Sequence, residues 1–189
     1  WKLFQEHVGK GLPVSAVIYS HSHADHWGGV RGIVNEADVR SGKIPVIAPR
    51  NFMEHTIAEN VYAGYAMNRR LFYQYGLLLP ASPHGYAGQG LGQGVSAGAV
   101  GLIAPNRLVE KEIEEIEVDG VKMIFQDTPN TEAPTEMNTY IPGMKALVEG
   151  LSVRERVPQI EVAVGDNATA LVFRHLALLT ESDKALLKE

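Results

Sequence analysis

Hydrophobic and polar positions along the chain change period several times. Residues 14–20, Val-Ser-Ala-Val-Ile-Tyr-Ser, form a short apolar, β-branched run after Pro13, the pattern of a buried strand. Residues 44–48, Ile-Pro-Val-Ile-Ala, repeat it and are closed by Pro49. Between them Asp25 stands where a helix cap would, with His26 to Val34 as the first helical turns. Strand, helix and strand in so short a stretch predict a βαβ unit and layered α/β packing. Trp1 to Gly9 read as the end of an amphipathic helix, and residues 51–78 predict a helix interrupted near Gly64. Ile116 and Val118, then Asp119-Gly120, then Val121, Met123 and Phe125 alternate around a two-residue turn, which predicts a hairpin over 111–127. Further strands are expected near 137–141 and 145–148. In the last forty residues Ile160–Val164 is strand-like, Gly165-Asp166-Asn167 is a turn, and a helical run starts at Thr169.

Residues 80–106 carry no such period. Seven glycines lie from Gly85 to Gly101, with Pro80, Pro83 and Pro105 around them. A long loop of this kind inside a domain is usually functional or disordered.

Composition narrows the chemistry. With 189 residues, 45% hydrophobic and 21% charged, the chain can build a real core. A net charge of -5 argues against nucleic acid as the main partner, because phosphate binding needs basic clusters. The absence of cysteine excludes disulfides, thiolate catalysis and Cys-ligated zinc. No stretch is long and apolar enough to be a membrane-spanning helix.

Metal-capable side chains are concentrated in His21-Ser22-His23-Ala24-Asp25-His26, which holds three of the seven histidines. At an extended strand end, positions i and i+2 point the same way, so His21 and His23 can grip one metal. Asp25 and His26 lie past the turn and can face a second. Imidazole and carboxylate suit zinc, and two metals about 3.5–4 Å apart can activate a water between them. A surface histidine-rich turn is the plainer alternative.

This motif, with Gly28-Gly29 after it, resembles the metal motif of the metallo-β-lactamase superfamily. The wider text resembles its alkylsulfatase branch: Val17-Ile18-Tyr19-Ser20-His21 through Arg31-Gly32, Glu59-Asn60-Val61-Tyr62-Ala63-Gly64, Ala66-Met67 with Arg69-Arg70, Tyr73 with Tyr75-Gly76, and Thr128-Pro129 through Glu136-Met137. The resemblance covers residues 1 to about 147. It implies an α/β fold, an αββα metallo-β-lactamase sandwich seen incompletely. Residues 1–148 form the partial domain, and residues 149–189 form a divergent tail.

The resemblance also implies two zinc ions and hydrolysis of alkyl sulfate esters to alcohol and sulfate. His21 and His23 match ligands of one zinc, and Asp25 and His26 match ligands of the other. Glu132, in Thr-Glu-Ala-Pro, matches a further carboxylate ligand. Two family ligands find no match. The bridging glutamate expected after Lys145-Ala146-Leu147 falls on Leu151, with Glu149 out of register. The family's downstream histidine has only His175 as a counterpart, which reads as structural. The family is homodimeric and often periplasmic or secreted. In it the glycine-rich loop lies by the active site, and Gly90, Gly92, Gln93, Gly94 and Ser96 can expose backbone N–H groups to a sulfate. Tyr86 and Gln89 are further polar contacts. Tyr62, Tyr65, Tyr73 and Tyr75 read as packing residues. The glutamates from Glu110 to Glu117 read as a solvated hairpin face. His7, His55 and His84 read as surface or capping residues. A lactonase or thioesterase of the same fold, and a non-catalytic metal-binding fragment, are the other readings.

Overall fold

The apolar runs become strands, and the computed structural model arranges those among the described residues in three sheets. It describes residues 1–9, 11–80, 82, 84–85, 98–148, 159–165 and 168–174. The chain divides into two compact units, Trp1–Gly150 and Leu151–Glu189.

In the first unit, β1 (Val17–Ile18), β2 (Val46–Pro49) and β3 (Arg107–Val109) form a parallel sheet in that order. All four residues of β2 are buried, as a central parallel strand covered on both faces requires. A second, antiparallel sheet runs β4 (Ile113–Val118), β5 (Val121–Asp127), β6 (Met137–Ile141) and β7 (Ala146–Val148). The predicted hairpin is β4–β5. Asp119 and Gly120 turn it with φ of 52° and 74°, the left-handed pair that a tight hairpin turn demands.

Helical segments are short. They are α1 (Lys2–Phe4) with a π turn Gln5–Gly9, α2 (Glu36–Arg40), α3 (Phe52–Ile57), a π turn Ala58–Tyr62 and α4 (Gly64–Tyr75). The break expected near Gly64 is the π turn between α3 and α4. The helix expected from Asp25 is not there. Residues Ala24–His26 and Val30–Gly32 are single 3-10 turns, and no side chain caps the first. Gly28 and Gly29 interrupt the pattern, and the α-helix waits until α2, where Asn35 accepts the N–H of Ala37 at 3.0 Å.

Two cores fix the layers. Ile47 and Val109 of the parallel sheet pack with Met123, Phe125 and Met137 of the antiparallel sheet. On the other face of the parallel sheet, Tyr19, Val46, Ala48 and Ile103 pack with Trp27, Val30, Val39 and Phe52. Helix, sheet and sheet are therefore three of the four layers expected, among the described residues. Each such buried side chain stabilises the fold by about 1.5–3 kcal/mol.

Three expectations need correction. Tyr62, Tyr65 and Tyr73 are exposed, and α4 has no buried residue. Their spacing shows that they share a helical side; it does not supply a surface to pack on. Glu114 is not a solvated hairpin residue: its side chain is 10% exposed and accepts from Arg107 and from the Glu110 N–H. In the second unit β8 (Gln159–Gly165) pairs antiparallel with β9 (Ala168–Arg174), where a helix was expected from Thr169. β9 runs back along β8 in register from Gly165–Ala168 to Gln159–Arg174, and this cross-strand pairing overrides the helix propensity of Ala170 and Leu171.

Candidate metal centre

The site forms because β1 runs on past its own sheet. Within the sheet the Tyr19 N–H donates to Ile47 O at 2.9 Å. One residue later Ser20 O accepts from the Met137 N–H at 2.9 Å, and His21 pairs with Glu136 in an isolated antiparallel bridge. The strand therefore crosses from the parallel sheet to the start of β6. This crossing sets the histidine cluster beside the 128–136 turn.

His21, His23 and Glu132 each offer a ligand atom, and the three atoms lie within 4.8 Å of one another. His23 Nδ1 is 3.7 Å from Glu132 Oε1. His21 is fully buried. Its Nδ1 is 2.9 Å from Ser20 Oγ, while its Nε2 is buried without a hydrogen-bond partner. Donation by Nδ1–H to Ser20 leaves the Nε2 lone pair free for a cation. Burial pushes the His21 pKa down to about 4, helped by His26 and His23 and opposed by Asp25. The imidazole is then neutral at neutral pH, as a ligand must be. A buried nitrogen without a partner, a neighbouring imidazole and a carboxylate suit a zinc-type cation.

His26 lies against His21, with ring centroids 3.9 Å apart. Asp25 is largely exposed, and its Oδ2 is 3.5 Å from His26 Nε2. The three-ligand group thus does not include these two residues, which face each other beside it. Gly90, Gly92, Gln93, Gly94 and Ser96, with Tyr86 and Gln89, lie outside the described residues, as do Glu149, Leu151 and His175. His7 and His84 are exposed and His55 is half-buried.

Supporting residues emerge that sequence patterning did not single out. Glu59, in the π turn Ala58–Tyr62, accepts from Ser22 Oγ at 2.6 Å, and its Oε1 is 3.9 Å from His23 Nε2. Asn60 donates to Ser22 O at 3.1 Å and to Thr56 O at 2.8 Å. Trp27 Nε1 donates to the same Ser22 carbonyl at 2.8 Å. These bonds hold the His21–His23 backbone against α3. π turns inside helical segments are frequent at functional sites, and the Glu59-Asn60 pair sits in a stretch already noted for its resemblance.

The family model described as the metallo-beta-lactamase superfamily matches residues 3–141. The chain belongs to this superfamily. Among curated relatives, it is 50% identical to an alkyl/aryl-sulfatase, BDS1, of Saccharomyces cerevisiae, over 92% of this chain and 30% of that protein. It is 51% identical to a linear primary-alkylsulfatase of Pseudomonas sp, over 77% of this chain and 21% of that protein. The solved structure of the stereoselective inverting sec-alkylsulfatase Pisa1 from Pseudomonas sp. is similar with a TM-score of 0.72 and 48% identity. That likeness covers 77% of this chain and 23% of the other. The chain thus spans less than a third of the length of these relatives. A 23S rRNA methyltransferase, RlmD, of Aromatoleum aromaticum is 48% identical over 29% of this chain and 12% of its own, too small a share to define a family.

Proposed function

We propose that this chain carries metal-binding and catalytic residues of a zinc-dependent hydrolase that converts alkyl sulfate esters to alcohol and sulfate. The observation that carries the reading is the convergence of His21, His23 and Glu132, with the His21 Nε2 buried and without a hydrogen-bond partner. The alkylsulfatases named among its relatives supply the substrate class.

In this reading His21, His23 and Glu132 would hold one zinc, and Asp25 and His26 would contribute to a second. Bound zinc supplies Lewis acidity and lowers the pKa of water into the neutral range. Ser20 keeps His21 in the tautomer that leaves Nε2 free. Glu59 faces His23 Nε2 and orients that ring, as carboxylates behind ligating histidines do. Trp27, buried in the core, holds the Ser22 carbonyl between the two histidines through its indole N–H. The 90–96 stretch is the sulfate-binding part of the proposal on its sequence alone.

The test is zinc per chain, by elemental analysis, together with sulfate release from dodecyl sulfate. Two zincs and sulfate release are expected. His23→Ala is expected to lose one zinc and nearly all turnover; unchanged zinc content and rate in that variant would sink the assignment. One zinc with no turnover would favour the second reading, a non-catalytic metal centre, for which the exposure of Asp25 speaks.

A further inference from the structure

Glu136 is 1% exposed, and its carboxylate is engaged on one side. Oε2 accepts from Thr131 Oγ1 at 2.5 Å, from the Glu132 N–H at 2.7 Å and from the Ala133 N–H at 3.3 Å. The backbone closes the same turn: Thr128 N–H donates to Glu136 O at 2.9 Å, and Asn130 N–H donates to Ala133 O at 3.0 Å. Asn130 takes φ of 63° in it. A buried carboxylate needs hydrogen bonds to replace its water; here the donors on Oε2 belong to the residues flanking and including Glu132, while Oε1 is buried without a hydrogen-bond partner. Glu136 also bridges His21 across the antiparallel pair. It therefore touches both halves of the centre, the histidine strand by backbone pairing and the Glu132 turn by its side chain.

We infer that Glu136 is a positioning residue: its carboxylate fixes the Glu132 backbone so that the Glu132 side chain faces His21 and His23. It acts through Glu132 and lies outside the group of His21, His23 and Glu132 whose ligand atoms converge. The inference rests on the metal-centre reading above. A carboxylate that merely stabilised the turn would change folding stability without a specific effect on metal affinity, and this difference decides the matter.

The experiment measures zinc affinity by competition with a chromophoric chelator. It also follows hydrogen exchange at the Glu132 and Ala133 amides in the metal-free protein, for the whole chain and its variants. Glu136→Ala is expected to weaken zinc binding by at least about tenfold and to speed exchange at both amides. Glu136→Gln keeps an acceptor oxygen in place of Oε2 and is expected to stay within about threefold of the parent. In a Glu132→Ala background, Glu136→Ala is expected to have no further effect on zinc, because the group it positions is gone. A folded Glu136→Ala protein with parental affinity overturns the inference, as does an equal loss with and without Glu132. If Glu136→Ala does not fold, Glu136→Asp withdraws the acceptor by one methylene, and the same two measurements are read on it. If the parent chain binds no zinc, the metal-centre reading has failed by itself. The positioning inference falls with it in that case, and unchanged amide exchange in the variant overturns it whether or not zinc binds.

Discussion

Replacing Phe125 by Ala tests whether the packing between the two sheets holds the centre together. Phe125 is fully buried and lies with Met123 and Met137 against Ile47 and Val109 of the parallel sheet. Truncation removes the ring's transfer energy and leaves a cavity lined by these four neighbours, which belong to two sheets, so little collapse is available. The expected loss is about 3–5 kcal/mol, against a total of about 5–15 kcal/mol for a domain of this size. Urea unfolding followed by circular dichroism measures it, and an unchanged slope with denaturant keeps the comparison valid. Ile113→Ala is the control: Ile113 lies in the adjoining strand β4 but is 61% exposed, and its loss is expected to stay near 0.5 kcal/mol. The functional consequence follows from topology. His21 and His23 follow β1 of one sheet, and Glu132 hangs between β5 and β6 of the other, so opening the space between sheets separates the proposed ligands. Zinc affinity of Phe125→Ala is expected to fall even where the variant is folded. A loss below about 1.5 kcal/mol, equal to that of Ile113→Ala, would refute the view that this ring fastens the sheets.

Other outcomes are expected on the same footing. Gly120→Ala meets no atom within 4 Å, so its cost is purely the left-handed backbone at φ of 74°, about 1 kcal/mol by the same unfolding assay. In metal-free protein, the folded state holds His21 down at about 4 from its ordinary 6.5. The unfolded chain therefore takes up a proton first as pH falls, and stability present above pH 6.5 is lost progressively toward pH 4; a His21→Ala variant should show a flatter profile across that window. Glu132→Ala should lower zinc affinity while leaving the β5–β6 pairing intact, which amide exchange in those strands checks.

Local chemistry was legible in the sequence wherever a short spacing carried it. His21 and His23 share a side because β1 runs straight into them, and Asp119-Gly120 makes a hairpin because both residues accept positive φ. Glu132 was legible only through family resemblance, since no spacing rule connects it to a histidine more than a hundred residues earlier. The helix expected after Asp25 failed because the glycines at 28 and 29 and the turn at 23–26 leave no continuous apolar face. The exposed tyrosines of α4 failed for a different reason: periodicity reports which side chains align, and burial depends on what other segments bring against them.

The contrast between Glu132 and Glu136 carries this further. Both glutamates lie in one short stretch, and resemblance assigned a role to only one of them. Their sequence separation of four residues contains no reason to expect the second to be 1% exposed. The structural reason is the crossing of the β1 strand onto β6, which pairs His21 with Glu136 and turns the Glu136 side chain inward. Once inward, it needs donors, and the nearest unpaired N–H groups are those of the turn that presents Glu132. The buried Glu136 carboxylate and the turn that presents Glu132 are thus two consequences of one strand crossing. A loss of metal affinity on removing Glu136 that vanishes when Glu132 is already absent is the signature that this causal order predicts.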